Sequence, residues 1–180
     1  MKPSEKGDDT LKYLDIKGKM VTTVGGEHIG KVLDLLINPK QTKIYGLIVA
    51  NNNAIRGFHY IPFHNFKIRR GVIIANGIIT KIKKSYLRKN KNLSMQNYIN
   101  KDIYSRTGQK LGVLVDCIFD LKTAGIRALV SSNGFFEDIF EGRKVYITKD
   151  DSSFKEQKIV INGACSTINS SAFYKIYLKE

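Results

Sequence analysis

The sequence predicts an all-β chain: two small antiparallel β-barrels in tandem, joined by a basic linker. Three observations carry this. The string from Gly26 to Ile48 aligns without a gap on Gly108 to Val130, 82 positions later, so that Gly26, Gly30, Asp34, Lys40, Ile44 and Leu47 meet Gly108, Gly112, Asp116, Lys122, Ile126 and Leu129. Short runs rich in Val, Ile, Tyr and Phe are separated by Gly, Asn and Asp turns at regular spacing. No segment sustains a 3.6-residue period except a stretch between the two copies.

Residues 1–12 read as a polar N-terminal tail without the apolar run of a secretory signal. Residues 13–80 form the first module. Its string "GEHIGKVLDLLIN" opens on a polar tip where Gly26 reverses the chain with φ > 0. Gly30 follows as the return strand begins, where a missing Cβ permits close strand approach. Strict alternation places Ile29, Lys31, Leu33, Leu35 and Ile37 on one face and Gly30, Val32, Asp34, Leu36 and Asn38 on the other. Asn38-Pro39 ends the strand, and the next starts near Ile44. Later, "YIPFHNFKIRRGVIIANG" (60–77) aligns with "YITKDDSSFKEQKIVING" (146–163), four residues out of phase, pairing Tyr60 with Tyr146. About six short strands closing on themselves would leave no free edge.

Residues 81–97 are the basic linker. The chain carries 30 Lys and Arg against 16 Asp and Glu, a net charge of +14. Residues 1–80 contribute +6 and residues 98–180 only +2, whereas 81–97 hold six basic groups and no acid. Lys83, Lys84, Tyr86, Arg88, Lys89 and Lys91 suit RNA, the ribosome or an anionic membrane surface, or simply a solvated tether. Lys84, Arg88 and Lys91 are spaced for one or two helical turns.

Residues 98–180 are the second module with a C-terminal extension. Gly108, Gly112 and Asp116 repeat the first motif, and Leu111, Val113, Val115, Cys117 and Phe119 alternate as its core face. The four extra residues fall in "NGFFEDIFEGRK", where Phe135, Phe136, Ile139 and Phe140 form either a cap on a barrel end or a docking site for a partner protein. At about 75 residues each, the modules are expected to be separable but marginal alone.

These residues resemble the PRC-barrel family: a polar turn, then G-x-x-[IL]-G-x-V-x-D, a strand closing near "GLIV", an "IP" step and a "G-x-x-V". The first copy supplies "GEHIGKVLD", "YGLIV", "YIPFHNF" and "GVIIANG". The second supplies "GQKLGVLVD" and "IRALV" but replaces the Pro step with "YITKDDS", and so is the more diverged. The resemblance implies a non-enzymatic binding module. Members include the cytoplasmic domain of the photosynthetic reaction-centre H subunit and a domain of a bacterial ribosome-maturation factor that binds a ribosomal protein. Stand-alone and tandem copies are common in bacteria. The fold does not choose the partner.

No residue pattern in the sequence points to catalysis. Asp34 and Asp116 lack a second titrating group at fixed spacing, which favours backbone hydrogen bonding over acid–base catalysis. His28, His59 and His64 lack the paired spacing of a zinc site. Cys117 and Cys165 sit in apolar runs and read as buried thiols. No phosphate loop, dinucleotide fingerprint or nucleophile elbow occurs. No catalytic residue, cofactor, metal or small-molecule substrate is expected. The expected role is a cytoplasmic adaptor, peripheral to the membrane at most, whose partner is another protein.

Overall fold

The computed structural model describes residues 10–51, 57–134, 138, 142–148, 152–155, 158–161 and 167–169. The first copy contributes β2 (Met20–Thr23), β3 (His28–Asn38), β4 (Lys43–Ala50), β5 (Phe58–Pro62), β6 (Phe66–Arg69), β7 (Val72–Ala75) and β8 (Thr80–Ile82). The second contributes β9 (Asp102–Ser105), β10 (Lys110–Asp120), β11 (Ile126–Ser132), β12 (Lys144–Ile147), β13 (Ser153–Phe154), β14 (Ile159–Ile161) and β15 (Thr167–Asn169). Two short helices, α1 (Tyr13–Ile16) and α2 (Lys84–Lys89), precede and follow the first copy.

Each copy folds as one sheet, with strand orders β6-β7-β2-β3-β4-β5-β8 and β13-β14-β9-β10-β11-β12-β15. Two features correct the expected closed antiparallel barrels. Among the described residues neither ladder closes on itself, and each contains one parallel pair, β2 with β7 and β9 with β14. The chain must cross from the far end of each copy back to its first strand, and that connection delivers the returning strand parallel.

Local chemistry sets the long hairpins. After β3, Asn38 Oδ1 accepts from Lys40 N–H and Gln41 N–H; after β10, Asp120 Oδ1 accepts from Lys122 N–H and Thr123 N–H. These side chains mimic a backbone turn. Thr42 and Ala124 then take φ of 54° and 60° at equivalent places.

Strict alternation fails inside these strands. The β3–β4 register slips between Val32 and Asp34, and the β10–β11 register between Leu114 and Asp116. One extra residue at a bulge swaps the faces beyond it. Val32 and Leu35 therefore both point into the core, Leu33 is left 41% exposed, and Leu114 is buried where Val113 and Val115 are only half-buried. The later alignment also shifts. Ile61 pairs with Leu47 as Tyr146 pairs with Leu129, so Tyr146 matches Ile61 rather than Tyr60. Ile73 and Ile159, facing Val21 and Ile103, recover the four-residue offset.

The core does not divide at the module boundary. One buried cluster runs from Tyr13, Val21 and Leu35 of the first copy to Leu114, Cys117, Phe119 and Ile159 of the second, contrary to two separable bodies. Phe63 meets Phe119 edge to face at 6.5 Å. The backbones also join reciprocally: Ile44 N–H donates to Ala124 O and Ile126 N–H to Thr42 O, each at 2.8 Å. Donor and acceptor in each bond correspond to those of the other under the 82-residue repeat, so the modules are related by a pseudo-two-fold.

A cationic groove beside two reciprocal aspartate clasps

The repeated aspartates lie where the bulges end. Asp34 Oδ1 accepts from its neighbour Leu35 N–H at 2.8 Å, from Gln96 N–H at 3.1 Å and from the Tyr13 hydroxyl at 3.1 Å, while the Ser94 hydroxyl donates to Oδ2. Asp116 Oδ1 accepts from Cys117 N–H at 2.8 Å and Leu14 N–H at 3.1 Å. Leu14 and Gln96 are themselves equivalent. Each belongs to the segment leading into one module, and each is held by the aspartate of the other. The adjacent backbone follows suit: Thr10–Lys12 (β1) pairs with Ile118–Asp120 of the second sheet, and Ser94 bridges to Leu36 of the first. Tyr13 and Ile16, and likewise Met95 and Tyr98, are the buried apolar pairs that seat these leaders. The tail expected over 1–12 thus ends in a strand, and the linker expected over 81–97 ends in a clasp.

Burial raises the Asp116 carboxyl to about 6, although the N–H groups of Leu14 and Cys117 pull the other way. Burial likewise raises Asp34 against the pull of Ser94 and the backbone donors, and Tyr13 through burial and the nearby Asp34 charge. Perturbed carboxyls mark functional-site candidates. Here Asp34 and Asp116 are 8% and 4% exposed, and both Asp34 oxygens and Asp116 Oδ1 are engaged in the leader contacts. The neighbouring Cys117 is fully buried and its thiol is pushed well up by burial, the opposite of an activated nucleophile.

Gly26 and Gly108 turn at φ of 85° and 86°. A Cβ on Gly30 would stand 2.1 Å from Ala50 O, and one on Gly112 would stand 2.5 Å from Asn133 Oδ1 and 2.9 Å from Ser132 O. With no Cβ, these two glycines let the bulged strand approach its neighbour.

The basic segment is built rather than loose. Thr80–Ile82 pairs with β5, α2 follows, and Asn90 closes it by donating from both its backbone and side-chain nitrogens to Tyr86 O. No residue of α2 is buried. Lys83, Lys84, Tyr86, Arg88, Lys89 and Lys91 are all exposed, Tyr86 by 47%. Between this segment and the first sheet lies a groove of about 730 Å³, walled by Leu33, Ile48, Phe58 and Leu87 and edged by Lys17, Lys84, Arg88 and Lys91. The sequence did not single out Leu33, Phe58, Leu87 or Lys17. The one signal for Leu33 was an apolar residue repeated as Val115, which strict alternation assigned to the core.

Phe135, Phe136, Ile139 and Phe140 lie outside the described residues, as does Cys165. His28 and His64 are exposed, and His59 is half-buried in β5 with its pKa lowered by burial and by Lys81. Among the described residues no group of three His, Cys, Asp or Glu could hold a metal ion, and no helix is long and apolar enough to cross a membrane.

No curated protein sequence matches the chain. The PRC-barrel domain model matches it twice, over residues 8–81 and 91–164, so the first match takes in β1 and α1 and the second takes in the Ser94–Gln96 clasp. The chain belongs to the PRC-barrel family, as a tandem member with two copies of the domain.

Proposed function

We propose that the protein is a non-enzymatic adaptor of the bacterial cytoplasm whose cationic ridge, residues 83–91, docks on an acidic surface of a partner protein. PRC-barrel domains occur in protein-interaction and adaptor modules. One observation carries the reading: α2 buries no side chain and carries Lys84, Arg88 and Lys89 with no acid beside them. Lys84 and Arg88 stand at i and i+4, where like charges destabilise a helix by a few tenths of a kcal/mol, about 0.2–0.5. None of Lys83, Lys84, Arg88, Lys89 and Lys91 forms an ion pair among the described residues. A surface with this cost and no internal compensation suits a polyanionic partner, which raises association rates as well as affinity.

A second reading, single-stranded RNA, is favoured by Tyr86, an exposed ring among the cations that offers a stacking platform. Capture of partners from cells of the source organism, with and without nuclease, separates the two. The adaptor reading expects a protein retained after nuclease and lost when Lys83, Lys84, Arg88 and Lys89 are changed together to Gln. Nuclease-sensitive capture favours RNA. Retention of every partner by the Gln variant contradicts both.

A further inference from the structure

The two modules differ on the sheet face turned away from the shared core. In the second module Ile118, Ala128, Val130 and Val145 fill that face, with Val115 and Ile147 packed on them. The equivalents of Val115 and Val130 in the first module are Leu33 and Ile48. They face not a packed cluster but the groove of about 730 Å³ under α2. That volume falls within the range of small-molecule sites, about 300–1,000 Å³.

What the walls leave unused defines the occupant. The polar side chains are largely committed: Ser94 donates to Asp34, the Gln96 carbonyl oxygen accepts from Lys17, and the Asn97 amide donates to Lys91 O. Lys17 also lies 5.6 Å from the Tyr13 ring centroid. Asp34 faces the same groove, but its oxygens already take the donors of Tyr13, Ser94, Leu35 and Gln96. The unused groups are therefore three apolar side chains, Leu33, Phe58 and Leu87, over a floor set by the buried Ile48, and three cations, Lys84, Arg88 and Lys91. Lys84 and Arg88, four apart, lie on the side of α2 that lines the groove, and Lys91, three further on, opens the 3-10 turn that follows. An extended peptide would want a sheet edge, and β3 and β4 are paired on both sides.

We propose that this groove binds an anionic amphiphile: one hydrocarbon chain against Leu33, Ile48, Phe58 and Leu87, with a phosphate or carboxylate head on Lys84, Arg88 and Lys91. It is a ligand and not a substrate, and the site does not depend on the adaptor reading.

Titration calorimetry on the full chain tests it, with dodecyl phosphate below its micelle concentration as the probe. Binding is expected at one per chain. Shortening the chain weakens it by up to about fourfold per methylene removed. Changing Lys84, Arg88 and Lys91 to Gln weakens it about fivefold for each charge removed. Leu87→Ser also weakens it, and the melting temperature of these variants does not fall below that of the wild type. Should the triple variant fold poorly, salt on the wild type replaces it: added salt weakens dodecyl phosphate binding and leaves dodecanol binding unchanged. Competition between dodecyl phosphate and phosphatidylglycerol vesicles identifies a bilayer lipid as the source, and its absence a free amphiphile; either supports the site. Equal binding of inorganic phosphate or of dodecanol overturns the proposal. So does dodecyl phosphate binding that is indifferent to Leu87→Ser, or binding to vesicles with none to dodecyl phosphate.

Discussion

Replacing Asp116 by Asn is expected to stabilise the protein at pH 7, while Asp116→Ala forfeits most or all of that gain. The leader bond from Leu14 N–H and the local bond from Cys117 N–H converge on the single oxygen Oδ1, which Asn retains. What Asn removes is a buried charge. Burial pushes the folded carboxyl up to about 6 from an ordinary 3.8, and each pH unit of that rise corresponds to about 1.4 kcal/mol. At pH 7, where both folded and unfolded forms are ionised, burying the charge therefore costs on the order of 3 kcal/mol, which is an upper bound on the gain from Asn. Ala removes the charge as well but strands two N–H groups, at about 1–3 kcal/mol each, so against the same gain its net effect runs from about 1 kcal/mol of stabilisation to a loss of about 3 kcal/mol, always below Asn. Urea unfolding at pH 7 and pH 4.5 measures both. At the lower pH the wild-type carboxyl is already protonated in the folded state, so the advantage of Asn shrinks to about 1 kcal/mol. Asn and Ala losing equally at both pH values would refute the reasoning, because the charge itself would then be the stabilising element.

The wild type carries the same signature. Asp34 and Asp116 have raised folded pKa values, so the folded state binds more protons than the unfolded between about pH 4 and 6, and thermal stability should fall as pH rises through that window. Below about pH 4 the trend reverses. Asp120 is held down to about 2, its burial outweighed by Arg127 and the turn donors, and Asp102 is lowered by Lys110; both lose stability as they protonate. Gly30→Ala should damage soluble expression more than Gly112→Ala, because its Cβ meets a carbonyl oxygen at 2.1 Å whereas the nearest obstacle at Gly112 is the Asn133 side chain. Residues 1–82 expressed alone should lack cooperative unfolding, since Asp34 loses Ser94 and Gln96 and the leader 10–16 loses its sheet.

The repeat, the strand glycines and the turn residues were legible because each is a local demand on one residue type: no Cβ at Gly30, an acceptor at Asn38 and Asp120. The bulge was not. Val32-Leu33 and Leu114-Val115 are apolar pairs that fit either face, and only the register of β3 on β4 decides which one turns outward. The leaders were hidden for another reason. Tyr13-Leu14-Asp15-Ile16 and Met95-Gln96-Asn97-Tyr98 share a role but almost no residue types, because the aspartates hold them through backbone N–H groups that any side chain except proline supplies. The basic run was visible as charge. Its groove was not, since Leu33, Ile48 and Phe58 come from three strands.

The central claim is that each module's aspartate holds the other module's leader. Amide hydrogen exchange on Asp34→Ala and Asp116→Ala, read segment by segment, tests it directly. Asp116→Ala should accelerate exchange over residues 10–16, about 100 positions away in sequence, and leave 94–98 protected. Asp34→Ala should accelerate exchange over 94–98 first. Acceleration confined to the strands flanking each substitution, with both leaders still protected, would contradict the exchange of leaders and leave the two modules merely adjacent.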